Sequence, residues 1–153
     1  MEPGKQTNPK VLTGVSGEYF VAAQLSWLGY IASITLRNTK GVDILASNDN
    51  ATKAVGIQVK TNQGNKKSWI LNKKAEDYFA DNLFYVFVNL GDQRSQPDFH
   101  VVPSEIVAHY VKRTHVKWLA EPGRKGQPHN DTSMRIFNDP SDTYLARWDL
   151  LDL

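Results

Sequence analysis

The chain has 153 residues, of which 41% are hydrophobic and 22% charged, enough apolar content and length for one buried core and too little charge imbalance for a disordered chain. It has no cysteine, which excludes a disulfide framework, zinc–thiolate and iron–sulfur sites and a cysteine nucleophile. Eighteen basic against 16 acidic side chains leave a net charge of +2, a balance that permits a nucleic-acid partner without demanding one.

Residues 1–12 are rich in Pro, Gly and Asn and read as a loose arm. No apolar stretch follows Lys5 or Lys10, so no signal peptide is expected and the cytoplasm is the default location. Ser16 as a cap, Glu18 in the first turn and Gly29 as a stop predict a helix from Thr13 or Ser16 to Leu28. The uncharged run Tyr19 to Leu36 has the shortest length that spans a bilayer. Gln24, Ser26, Gly29, Ser33 and Thr35 interrupt it, and it reads as helix followed by strand, with no membrane association expected.

Strands are expected over Tyr30–Arg37, Val42–Ser47 and Lys53–Thr61, separated by turns at Asn38–Gly41 and Asn48–Asn50. Ser68–Leu71 reads as a short strand or a turn, and Lys73–Ala80 as a helix. Leu83–Leu90 is apolar without alternation, the mark of a central strand buried on both faces. Phe99–Val102 is a further strand, and Pro103 opens a helix to Trp118. A Pro/Gly-rich loop over 121–132, an edge strand at Met134–Phe137 and a short helix near Trp148 complete the chain. The order α-β-β-β-α-β, then β-α, predicts a single α/β domain over residues 1–153, with a central mixed sheet flanked by helices.

The motifs of several chemistries are missing. No H-E-x-x-H pair occurs, no Gly-x-x-x-x-Gly-Lys-Ser/Thr and no Gly-x-Gly-x-x-Gly, so a zinc hydrolase, a P-loop and a dinucleotide site lack their signatures. What remains is Gly41-Val42-Asp43-Ile44-Leu45-Ala46, a turn, and Val55-Gly56-Ile57-Gln58-Val59-Lys60-Thr61. Antiparallel partners keep a constant sum of residue numbers. A hairpin centred between Asn50 and Ala51 therefore sets Asp43 opposite Gln58, with Lys60 two residues on and pointing the same way. Val42, Ile44, Ala46, Val55, Ile57 and Val59 form the other, wholly apolar face, which opposes a one-residue slip.

A carboxylate, an amide oxygen and an ammonium gathered this way suit Mg²⁺ and a phosphate. Asp43, Gln58 and the Val59 carbonyl would be the protein's ligands, with water and a phosphate oxygen completing the shell. Lys60 would hold the attacking water or offset charge in the transition state. Glu18, whose i+3, i+4 and i+7 neighbours are Val21, Ala22 and Leu25, needs a partner or a cation and is a further candidate ligand. Each residue also has a plainer role: Asp43 capping the Gly41 turn, Gln58 solvated, Lys60 guarding an edge strand, Glu18 placed by the helix dipole. Lys66, Lys67, Lys73 and Lys74 follow the motif as candidate phosphate contacts, or as a solvated loop. Trp69 between them would stack on a base or pack in the core.

This arrangement resembles the PD-(D/E)XK, restriction-endonuclease-like nuclease superfamily, whose core is α-β-β-β-α-β. The motif is an Asp at the second strand and Glu-x-Lys on the third, often with a Glu on the first helix, as in Holliday-junction resolvases. Here Val42 stands for the motif's proline and Gln58 for its acid; the Gln-x-Lys form resembles the Mrr-type branch. The resemblance covers residues 13–103 and leaves 104–153, a helix, loop and tail, unexplained. It implies an endonuclease hydrolysing DNA phosphodiesters, with Asp43 and Gln58 facing Mg²⁺ (or Mn²⁺ in its place), Lys60 catalytic and Glu18 supporting. RNA stays open as substrate, a homodimer is compatible, and Gln58 leaves open a decayed fold that only binds nucleic acid or a protein partner.

Overall fold

The structure is a computed structural model and describes residues 8–36 and 39–153. Helix α1 spans Lys10–Trp27. It starts earlier than the sequence suggests, because Pro9 sets the entry: its carbonyl accepts the first helical bond from the Thr13 amide at 3.0 Å. Residues 10–12 are therefore helical rather than part of a loose arm. Ser16 is not a cap; its hydroxyl donates to the Leu12 carbonyl one turn back at 2.8 Å, and Glu18 lies mid-helix. Gly29 ends the helix at φ +92°, as expected.

Strands β1 (Ile31–Ile34), β2 (Ile44–Ser47) and β3 (Ala54–Asn62) form an antiparallel meander. Arg37 and Asn38, at the expected end of β1 and start of the following turn, lie outside the described residues. β5 (Leu83–Asn89) lies parallel to β3, and β6 (Asp98–Pro103) antiparallel to β5, giving the order β1-β2-β3-β5-β6. All seven residues of β5 are buried, as its unbroken apolar run predicts.

The expected helix Lys73–Ala80 is a single 3₁₀ turn, Lys73–Glu76. Only Ala75 in that turn is buried, so the segment has too little apolar face to hold a longer helix. The Asn72 side chain caps it by accepting from the Lys74 amide at 3.1 Å. Before that turn β4 (Ser68–Asn72), where a short strand or a turn is expected, pairs with β7 (Met134–Asn138), the expected late strand, in a separate two-stranded sheet. Helix α2 (Ser104–Ala120) packs beside that sheet.

The central sheet separates two cores. On one side α1 contributes Val21 and Leu25 against Ile44, Ile57, Val59, Phe84, Val86 and Val88. On the other, Tyr85 and Phe87 meet Trp69, Phe137, Val107 and Val111. The tail closes on its own chain: Trp148 packs on Phe99 with ring centroids 5.5 Å apart, and Tyr144 sits against Phe137. Among the described residues, no helix is long and apolar enough to cross a membrane.

Candidate functional site

The β2–β3 register pairs Ile44 with Ile57 and Leu45 with Gly56. One step further, the Asp43 amide donates to the Ile57 carbonyl at 2.8 Å, which sets Asp43 opposite Gln58. Val55, Ile57 and Val59 are buried on the α1 side, so alternation turns Gln58 and Lys60 to the opposite face. There they neighbour Tyr85 and Phe87, their partners across the parallel β3–β5 ladder. The structure thus places Asp43, Gln58 and Lys60 together at one end of the hairpin.

One Asp43 oxygen, Oδ2, accepts the Val59 amide at 2.7 Å. Among the described residues, the heads of Gln58 and Lys60 make no hydrogen bond or ion pair. Burial pushes the Asp43 carboxyl above its ordinary value; the Val59 hydrogen bond and the Lys60 charge pull it back only in part. Its carboxylate is held in place yet poorly solvated, and a cation near it would be attracted strongly. Beside Gln58, the buried Tyr85 phenol is pushed up to about 12, mainly by desolvation, and stays neutral in the working range.

Thr35 and Tyr78, which motif reasoning passed over, steady Asp43 together with the Gly41 turn. The Thr35 amide and hydroxyl donate to the Asp43 carbonyl at 2.9 and 3.2 Å, and the same hydroxyl donates to the Val42 carbonyl at 2.7 Å. Gly41 turns at φ +70°, and any Cβ there would run into the Tyr78 ring. Gly41 beside a motif Asp was the one available sequence signal; Thr35 and Tyr78 are distant in sequence and carried none.

Glu18 is half-buried on α1 and follows Gly17, where a side chain would strike Thr61 of β3. The helix packs against the Ile57/Val59 face, opposite the face of Gln58 and Lys60. The lysines bracket β4: Lys66 and Lys67 precede it, and Lys73 and Lys74 follow it. Lys66, Lys73 and Lys74 are exposed; Lys67 is half-buried and bonds Asp142 at 2.6 Å. Trp69 cannot stack on a base. It is 2% exposed, its indole N–H donates to the Val88 carbonyl at 3.0 Å, and its ring packs on Phe87 and His100. Its alternation along β4 turns it inward with Leu71, which is the physical reason for the correction.

Among the described residues, no group of three or more His, Cys, Asp or Glu stands close enough to hold a metal. The donors on offer are one carboxylate, the Gln58 amide oxygen and the Val59 carbonyl. Such a set does not make a closed cage, but it fits Mg²⁺, which commonly rests on one or two carboxylates together with water and substrate phosphate.

No family model matches the chain, and no curated protein matches it by sequence. Among solved structures it is similar to a bacterial homing endonuclease, I-Ssp6803I, at 14% identity and a TM-score of 0.54, over 95% of this chain and 94% of that one. It is also similar to Hjc, a Holliday junction resolvase from Archaeoglobus fulgidus, at 13% identity and a TM-score of 0.45, over 86% of each chain. The match to the homing endonuclease extends through the C-terminal third, beyond the stretch that the sequence motifs cover. The chain has a mixed α/β fold of the restriction-endonuclease-like type, with a central mixed sheet and the helices α1 and α2.

Proposed function

We propose that this protein is a divalent-metal-dependent endonuclease hydrolysing DNA phosphodiesters, of the Gln-x-Lys kind found in the Mrr-type branch. The observation that carries the reading is the convergence of Asp43, Gln58 and Lys60 on one sheet face, with the heads of Gln58 and Lys60 unpaired among the described residues. A half-buried lysine and amide left without partners are costly in a purely structural role and useful beside a phosphate. Mg²⁺, when bound, would polarise the phosphate and make a water more acidic.

The chain's own groups would do the rest. Asp43, fixed by Val59 and the Thr35 clasp, would hold the cation side of the site. The Gln58 oxygen would orient the same shell, and Lys60 would offset the charge that builds on the phosphate oxygens. Water adds to phosphorus, the bond to the 3′ oxygen breaks, and that oxygen takes up a proton. Exposed Lys66, Lys73 and Lys74 would follow the DNA backbone.

Plasmid nicking with Mg²⁺ or Mn²⁺ tests this. The wild type is expected to cut, Asp43→Ala to lose both cutting and metal binding, and Lys60→Ala to lose cutting alone. Cleavage that survives Asp43→Ala refutes the site. Gln58 itself favours a second reading, a fold that binds nucleic acid without cutting it, since an amide attracts Mg²⁺ less than a carboxylate does. Cutting gained only in Gln58→Glu supports that reading.

A further inference from the structure

Helix α1 carries two apolar stripes. Thr13, Gly17, Val21 and Leu25 form the first and are buried against the sheet. The second comprises Leu12, Ser16, Tyr19, Phe20, Ala23 and Trp27, on the flank turned away from the sheet. Leu12, Tyr19, Phe20 and Trp27 are exposed, Trp27 at 83%. Positions 12, 16, 19 and 23 alternate steps of four and three, the spacing of a seam between two helices. The helix has only two charged residues, Lys10 and Glu18, and neither lies in this stripe.

We propose that this stripe is the contact between two copies of the chain, packed antiparallel about a two-fold axis. With the axis between Tyr19 and Phe20, Leu12 meets Trp27 of the other copy, Ser16 meets Ala23, and the Tyr19 and Phe20 rings cross at the centre. Every residue finds its partner within the same stripe, as a two-fold contact requires. Small residues face small ones, so the helices approach closely, and large side chains fill the space on either side. An uncharged stripe sets no like charges against each other. The Ser16 hydroxyl is already bonded to the Leu12 carbonyl of its own helix, so it carries no unmet donor into the contact.

The stripe presents on the order of 500 Å² of apolar surface, since a fully exposed aromatic side chain offers roughly 200 Å². Two copies together bury about 1,000 Å², the size that a specific interface must reach. A lipid surface fits less well, because the helix lacks the lysine- and arginine-rich flank that interfacial helices carry. The inference does not rest on the nuclease reading: α1 packs on the sheet face opposite Gln58 and Lys60.

Sedimentation equilibrium of the full chain from about 1 to about 100 µM tests it. The wild type is expected to dimerise, and Trp27→Glu and Tyr19→Glu to weaken the dimer at least about 30-fold, with unchanged circular dichroism. Ile70→Glu, on the exposed side of β4, should stay dimeric, and so should Asp43→Ala, whatever its effect on cleavage. The chain has no native cysteine, so pairing can be mapped cleanly. On oxidation Ser16→Cys chains should form a disulfide with Ala23→Cys chains in a mixture, and neither variant should form one with itself, because like positions lie roughly 10 Å apart along the axis. A wild type that stays monomeric, a dimer untouched by both glutamates, or vesicle binding through Trp27 without a dimer overturns the proposal. Preferred Ser16→Cys self-linking overturns the antiparallel pairing.

Discussion

Asp43 shows how one carboxylate serves the site at a cost to the fold. Its Oδ2 satisfies the Val59 amide, while burial raises its pKa, so the folded protein holds the proton more tightly than the unfolded chain does. The stability linked to that raised value is fully present below the ordinary carboxylate range and is lost as pH rises through the folded value. Asp43→Asn keeps an acceptor for Val59 and removes the buried charge. Its Tm is expected to equal or exceed that of the wild type near pH 7, by up to a few degrees. The gap should close as pH falls below the ordinary carboxylate range, where both side chains are neutral. Thermal scans across pH check this. A lower Tm for Asp43→Asn at every pH would show that the carboxylate stabilises the fold rather than burdening it. Cleavage by the wild type should rise with pH over the same interval, since the ionised form is the one that attracts a cation. A profile flat through that interval would detach Asp43 from the reaction.

At the scale of elements, the site depends on turns more than on strands. β2 and β3 are legible from alternation alone, because one face is wholly apolar and a slip would expose it. The aim of Asp43 comes from the Gly41 turn beneath Tyr78. Gly41→Ala is expected to cost at least about 2 kcal/mol in denaturant titrations, combining a strained positive φ with a clash. Cleavage should fall further than the reduced stability explains, because Asp43 shifts with the turn. Sequence reasoning left Ser68–Leu71 open between strand and turn, and erred in the segment after it, which is a single 3₁₀ turn where a helix was expected. The partner of β4, β7, lies more than sixty residues on, so nothing local fixes that pairing, and Trp69 takes its inward place within it. The four lysines flank one strand, and Lys67 is taken up by Asp142. Replacing Lys66, Lys73 and Lys74 together with Gln should lower the salt slope of DNA binding by about 0.9 for each phosphate that these side chains neutralise. An unchanged slope in filter binding across salt would assign them to solvent.

The whole molecule is held by contacts distant in sequence. His100, fully buried in β6, meets Asp139 at 2.7 Å, and the same carboxylate accepts the Thr143 and Tyr144 amides at 2.9 Å each. This group ties the C-terminal segment to the sheet and places Phe137 and Tyr144 in the second core. Asp139→Ala strips three donors of their acceptor in a dry setting and is expected to cost about 3 kcal/mol or more. Urea titration measures it; a loss under about 1 kcal/mol would mean that water replaces the carboxylate.

By itself the amino-acid sequence determined the alternation of β2 and β3, the register that sets Asp43 against Gln58, and the doubly buried β5, because each is a local consequence of where apolar side chains must go. Only the tertiary structure decided that Trp69 belongs to the core, that Tyr78 and Thr35 steady Asp43, and that β4 and β7 pair. Those outcomes depend on chain segments meeting across dozens of residues, and a periodic pattern read along one strand contains no information about its distant neighbour.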